Sequence, residues 1–198
     1  MAYSLGGLTM EEQILRWVED LDKADINVRQ IARRSLISYD GDITELMISI
    51  MFEQQGRRSW EAAIILTERR DDRATGAMIQ MLTSRHPVLG QVAAEALTAY
   101  GPQYLDTLIG ALPNCTYLTQ IAIIGALERI GDRRAVPPLL RFLLSVDQQV
   151  LLYTTIRTLG VLGDPQAINT IRNYVNHENG HVAKHARMAL QQLEARTD

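Results

Sequence analysis

The sequence predicts an all-α chain, a solenoid of about six stacked two-helix repeats. Three observations predict it. One helix-end, turn, helix-start unit occurs twice, one leucine position recurs at nearly constant spacing, and strand-like alternation is almost absent. A single helix pair cannot bury its apolar face alone, so such units stack and complete one another's core.

The unit reads Ala126-Leu127-Glu128-Arg129-Ile130-Gly131-Asp132-Arg133-Arg134-Ala135-Val136, and again Thr158-Leu159-Gly160-Val161-Leu162-Gly163-Asp164-Pro165-Gln166-Ala167-Ile168. The glycine supplies the positive φ that ends a helix. The aspartate caps the next helix by accepting a bond from a free backbone N–H. Pro165 falls at the first helical position, where a missing N–H costs nothing.

The recurring leucine is Leu36, Leu66, Leu97, Leu127, Leu159 and Leu190, at intervals of 30 to 32 residues. Four residues earlier lie Ala32, Ala62, Ala93, Ile123, Thr155 and Ala186; three residues later lie Tyr39, Arg69, Tyr100, Ile130, Leu162 and Leu193. These offsets share one helical face. Small residues at the earlier position let neighbouring helices approach closely. Arg69 departs from the pattern.

Each anchor helix follows another amphipathic helix. The first is predicted over about residues 9–22, opened by a Thr9/Glu12 capping box. Later ones begin near Asp42, Asp72, Pro102, Arg133 and Pro165, giving twelve helices in six pairs. The repeats run over about 8–40, 41–70, 71–101, 102–131, 132–163 and 164–195, within one domain spanning 1–198. Short turns such as Asp40-Gly41 and Tyr100-Gly101-Pro102 join the helices, with no linker between them.

Composition sets outer bounds. Apolar residues make up 46% of 198, enough for a continuous core. A net charge of −3 gives no general electrostatic reason to bind nucleic acid. Cys115 stands alone, so no internal disulfide is expected. The start, Met1 to Gly7, lacks the basic and apolar regions of a signal peptide, and no stretch reaches the length of a membrane span. A soluble cytoplasmic chain is the expectation.

The search for chemistry yields no catalytic residue, no cofactor and no metal site. His177-Glu178-Asn179-Gly180-His181 fits the H-E-x-x-H pattern, which needs both histidines on one helix face to hold zinc. In register, however, His177 to Gly180 form a turn, and Asn-Gly is a turn signal. His181 and His185 lie one helical turn apart and could bind a metal adventitiously. Cys115 has no base or orienting group near it in sequence. Gly6-Gly7 belongs to no strand-loop-helix unit, so nucleotide binding has no support.

The motif residues Ala126-Leu127, Gly131-Asp132 and Ala135-Val136-Pro137-Pro138-Leu139, with Leu159, Gly163-Asp164 and Ala167-Ile168, resemble the HEAT-like repeats first grouped with phycobilin lyases. The first two repeats match weakly: Asp40-Gly41 reverses the pair, and Arg70-Asp71 lacks the glycine. The resemblance implies a right-handed α-solenoid whose second helices line a concave face. It implies no single activity, since the family includes scaffolds, lyases, chaperones and a few nucleic-acid enzymes.

If second helices line a concave face, its floor can be read by offset from the anchors. Six residues before lie Gln30, Trp60, Gln91, Ile121, Tyr153 and Lys184; two residues before lie Arg34, Ile64, Glu95, Gly125, Arg157 and Met188. Arg34, Trp60, Ile64, Glu95, Ile121, Tyr153 and Arg157 are the expected partner-binding residues, because Trp, Tyr and Arg dominate binding energies. The same spacing also fits packing between adjacent repeats, and periodicity does not separate the two. Arg29, Arg33, Arg34, Arg57, Arg58, Arg69 and Arg70 cluster early, but Glu61, Glu68, Asp71 and Asp72 interleave with them as in a solvated ion-pair face. The expectation is a non-enzymatic scaffold or adaptor for a protein partner, of unassigned oligomeric state. A bilin lyase or chromophore-handling relative is the alternative the resemblance implies, and a nucleic-acid-binding solenoid is the third.

Overall fold

The computed structural model describes residues 7–53, 56–86 and 88–196. The signal-peptide reading of Met1 to Gly7 therefore falls almost wholly outside the described residues. Among them the chain forms twelve α-helices and no strand. These are α1 (Met10–Asp20), α2 (Ile26–Ser38), α3 (Thr44–Phe52), α4 (Gly56–Arg69), α5 (Thr75–Leu82) and α6 (Leu89–Tyr100). They continue as α7 (Leu105–Ala111), α8 (Tyr117–Ile130), α9 (Val136–Leu143), α10 (Gln149–Leu162), α11 (Ile168–Arg172) and α12 (Gly180–Glu194). The fold is an all-α solenoid of helix pairs.

The turn chemistry follows the sequence. Thr9 and Glu12 form the capping box of α1. Gly131 and Gly163 end α8 and α10 at φ 71° and 70°. Asp132 and Asp164 then accept bonds from the N–H groups of Arg134 and Gln166, opening the 3₁₀ turns that lead into α9 and α11. Where the glycine is missing, Arg70 itself takes the left-handed conformation at φ 52°, and Asp71 caps the following turn by accepting from the Arg73 N–H.

α2 ends without a left-handed residue; its cap, Tyr39, is extended. Its free carbonyls are met from the next helix pair instead. The Arg69 guanidinium donates to the carbonyls of Leu36, Ile37, Tyr39 and Gly41 at 2.6 to 3.1 Å. The departure of Arg69 from the apolar pattern is thus a helix cap delivered from a neighbour.

The chain forms two compact units, residues 1–78 and 79–198. In the first, α1 packs on α2, α3 on α4, and α2 on α4. In the second, α6, α8, α10 and α12 pack in succession, with α7, α9 and α11 against their sides. Leu36, Leu66, Leu97, Leu127 and Leu159 are all wholly buried, as are the residues four positions earlier. Leu190 is half-buried, although Ala186 and Leu193 on the same helix are buried. No further helix among the described residues covers that side of α12. α10 and α12 approach closely: a Cβ at Gly160 would lie 2.9 Å from the Ala189 backbone.

Candidate functional site on the second-helix faces

Helical geometry places residues four apart on neighbouring turns of one face. The residues six and two before each anchor therefore form one strip per second helix. None of the seven expected binding residues is fully buried. Arg34, Glu95 and Arg157 are exposed, Trp60 is 36% exposed, and Ile64, Ile121 and Tyr153 are half-buried. The anchors on the opposite face of the same helices are sealed from water.

In the first unit the strip consists of Arg34 on α2 with Trp60 and Ile64 on α4. Around it the arginine cluster is largely engaged by the chain's own acceptors. Arg33 pairs with Glu61 at 3.2 Å and Arg58 with Glu53 at 3.0 Å. Arg29 donates to the carbonyls of Lys23 and Ala24, and Arg69 caps α2.

In the second unit the strip gains residues that the two offsets alone did not select. The Tyr153 ring stacks on His185, with centroids 5.0 Å apart. The Arg157 guanidinium sits 3.1 Å from the Glu128 carboxylate. That same carboxylate oxygen accepts from the Thr158 hydroxyl at 2.8 Å. Glu128 and Arg129 lie one and two residues after an anchor, so extending the offsets past the anchor would have found them. Leu118 is 43% exposed on the same face. Glu95, Thr98, Ala99 and Arg129 line a depression of about 430 Å³ between α6 and α8.

The other candidate chemistry disperses. His177 and Glu178 lie in the turn before α12, and Asn179 caps that helix by accepting from the N–H groups of His181 and Val182. The H-E-x-x-H segment is therefore not one helical face. The His185 Nδ1 lies 2.8 Å from the His181 carbonyl. Among the described residues no three His, Cys, Asp or Glu side chains converge as a metal ion would need. Burial pushes the Cys115 thiol up to about 11, leaving little thiolate near neutrality. Among the described residues no helix is long and apolar enough to cross a membrane.

Residues 119–145 match the family of PBS lyase HEAT-like repeats. That stretch runs from α8 through the Gly131-Asp132 turn into the residues after α9. With the turn chemistry and the stacked helix pairs, it makes this chain a repeat protein of the α-solenoid class. Within that class, the matched stretch is similar to a HEAT-like repeat. Deoxyhypusine hydroxylase of Gallus gallus is 26% identical over 95 residues, 48% of this chain and 32% of the hydroxylase. The chain thus spans about a third of that relative's length. Among solved structures, an engineered protein aligns over 92% of this chain and 97% of its own, at 18% identity and a TM-score of 0.54. A designed armadillo repeat protein in complex with the peptide (KR)4 aligns over 91% and 99%, at 16% identity and a TM-score of 0.56. Both likenesses concern the fold.

Proposed function

We propose that this chain is a cytoplasmic interaction module that holds a protein partner on its second-helix faces, through Arg34, Trp60 and Ile64 in one unit and Glu95, Ile121, Tyr153 and Arg157 in the other. One observation carries the reading. On each of these helices the anchor face is buried, while the strip six and two residues before the anchor stays open or half-open and holds aromatic, aliphatic and arginine side chains. A surface of that composition gains from desolvating Trp, Tyr and Arg against a partner. The designed armadillo relative, solved with a peptide, supports a peptide-binding use of such a fold. The hydroxylase match leaves a catalytic reading in second place, since it reaches only part of that enzyme.

A photo-crosslinking amino acid placed at Ile64 or Ile121 tests the proposal in extract of the native host. Leu144, 68% exposed after α9, serves as the control position. Discrete adducts are expected from the two strip positions and not from Leu144. Adducts of equal yield at Leu144, or none at the strip, would overturn the reading.

A further inference from the structure

We infer that the second-helix face of residues 79–198 selects an extended, acidic peptide with interspersed aliphatic residues. The inference rests on the proposed partner-binding use of that face and adds the chemistry of the partner.

Three cations occupy a diagonal across this face. Lys184 lies six residues before its anchor on α12, Arg157 two before on α10, and Arg129 two after on α8. Each step moves one helix across and four residues along. Helices packed about 8–10 Å apart, with four residues of roughly 1.5 Å rise, space the charges by roughly 10–12 Å. An extended chain covers that distance in about three to four residues at roughly 3.3 Å each. Carboxylates at every fourth position of a peptide therefore meet successive cations. Arg129 and Lys184 make no ion pair among the described residues, and both are exposed.

Arg157 and Tyr153 are held before any partner arrives. Thr158 donates to Glu128, and Glu128 positions one guanidinium nitrogen of Arg157, leaving the rest of its fork for a second carboxylate. His185 stacks on Tyr153 one turn away on the same strip. A side chain already fixed loses less freedom on binding. Beside the cations, Leu118, Ile121 and the Tyr153 ring give a half-open apolar floor. Glu128 is already engaged by Thr158 and Arg157, and Glu95 on α6 lines the depression beside Arg129, offsetting one of the three cations. The charge left for a partner is positive although the whole chain carries −3.

The test uses the full chain and a fluorescein-labelled peptide, Glu-Ser-Leu-Ser-Glu-Ser-Leu-Ser-Glu, read by anisotropy. A second peptide carries Lys for every Glu, and a labelled oligothymidylate of similar length offers phosphate instead of carboxylate. The acidic peptide is expected to bind, to weaken as salt rises, and to bind about tenfold less tightly to Arg157→Ala. Lys184→Glu, a change at an exposed position, is expected to weaken it as well, and melting curves establish that both variants fold. Equal or tighter binding of the lysine peptide, indifference to both variants, or preference for the oligothymidylate would each overturn the inference. Strip crosslinks that persist while the acidic peptide fails to bind would overturn this inference and leave the proposed function standing.

Discussion

Two side chains break the repeat pattern in opposite senses. Arg69 puts a cation where other repeats place an apolar or aromatic group, and it satisfies four carbonyls around the end of α2. Hydrogen bonds to a charged donor outweigh neutral ones, and carbonyls left without partners are costly. Arg69→Ala is expected to lower stability by about 2 kcal/mol in urea unfolding, with Arg69→Lys restoring only part because an ammonium lacks the planar fork. Thr155 is the converse. It holds the close-packing position on α10, and its hydroxyl is buried with no hydrogen-bond partner among the described residues. Valine keeps the shape and removes the stranded hydroxyl. Thr155→Val should raise stability by about 1 kcal/mol, and a lowered unfolding midpoint would contradict that.

At the scale of elements, one helix start is tied to another by charge. Asp42 precedes α3 and accepts from the Thr44 N–H, Asp71 precedes the turn into α5, and Arg73 bonds both carboxylates while Thr44 donates to Asp71. Arg73 beside it, with the Thr44 N–H, draws the Asp42 carboxyl down from 3.8 to about 2. Asp71 is held well below the carboxylate range by Arg73 and Thr44. A carboxyl whose pKa is depressed on folding contributes stability above its unfolded pKa and loses it as pH falls through the folded one. The Asp42 contribution should therefore be complete above about pH 4 and fade towards about pH 2. Melting temperatures of wild type and Asp42→Asn should differ at neutral pH and converge over that window. A difference that persists unchanged at pH 2 would refute the link. These starts were legible in outline. Asp72, Pro102, Arg133 and Pro165 open the turns expected of them, because Asp, Pro and Gly act locally through the backbone. The long-range partners of Arg69 and Arg73 were not legible, since a guanidinium reaching some 30 residues away leaves no local pattern.

At the scale of the whole chain, the period, the helix count and the buried anchors were readable from spacing, because burial repeats with the helix. The half-burial of Leu190 was not, since spacing cannot say which helix covers a face. The candidate strip was legible by offset. Its stacking on His185 and the Thr158–Glu128–Arg157 relay were not, because they depend on how neighbouring helices align. The division into two compact units carries its own test. Both tryptophans, Trp17 and Trp60, lie in residues 1–78. Tryptophan fluorescence thus reports one unit while far-ultraviolet circular dichroism reports all the helices. In repeat arrays, stability is local and propagates between neighbours. In Arg69→Ala the fluorescence midpoint in urea is expected to fall below the dichroism midpoint. Coincident curves would show that the two units unfold as one.

The way α2 is closed has a further meaning for modularity. The segment holding α8 ends on its own Gly131, so its seal is inherited with it wherever the segment is copied. The segment holding α2 borrows its seal from Arg69, which is encoded with the following pair. Duplication or exchange of single repeats is therefore expected to keep this cap intact at the glycine-ended boundary. At the arginine-ended one, a repeat moved without its successor loses the Arg69 seal and is expected to be less stable.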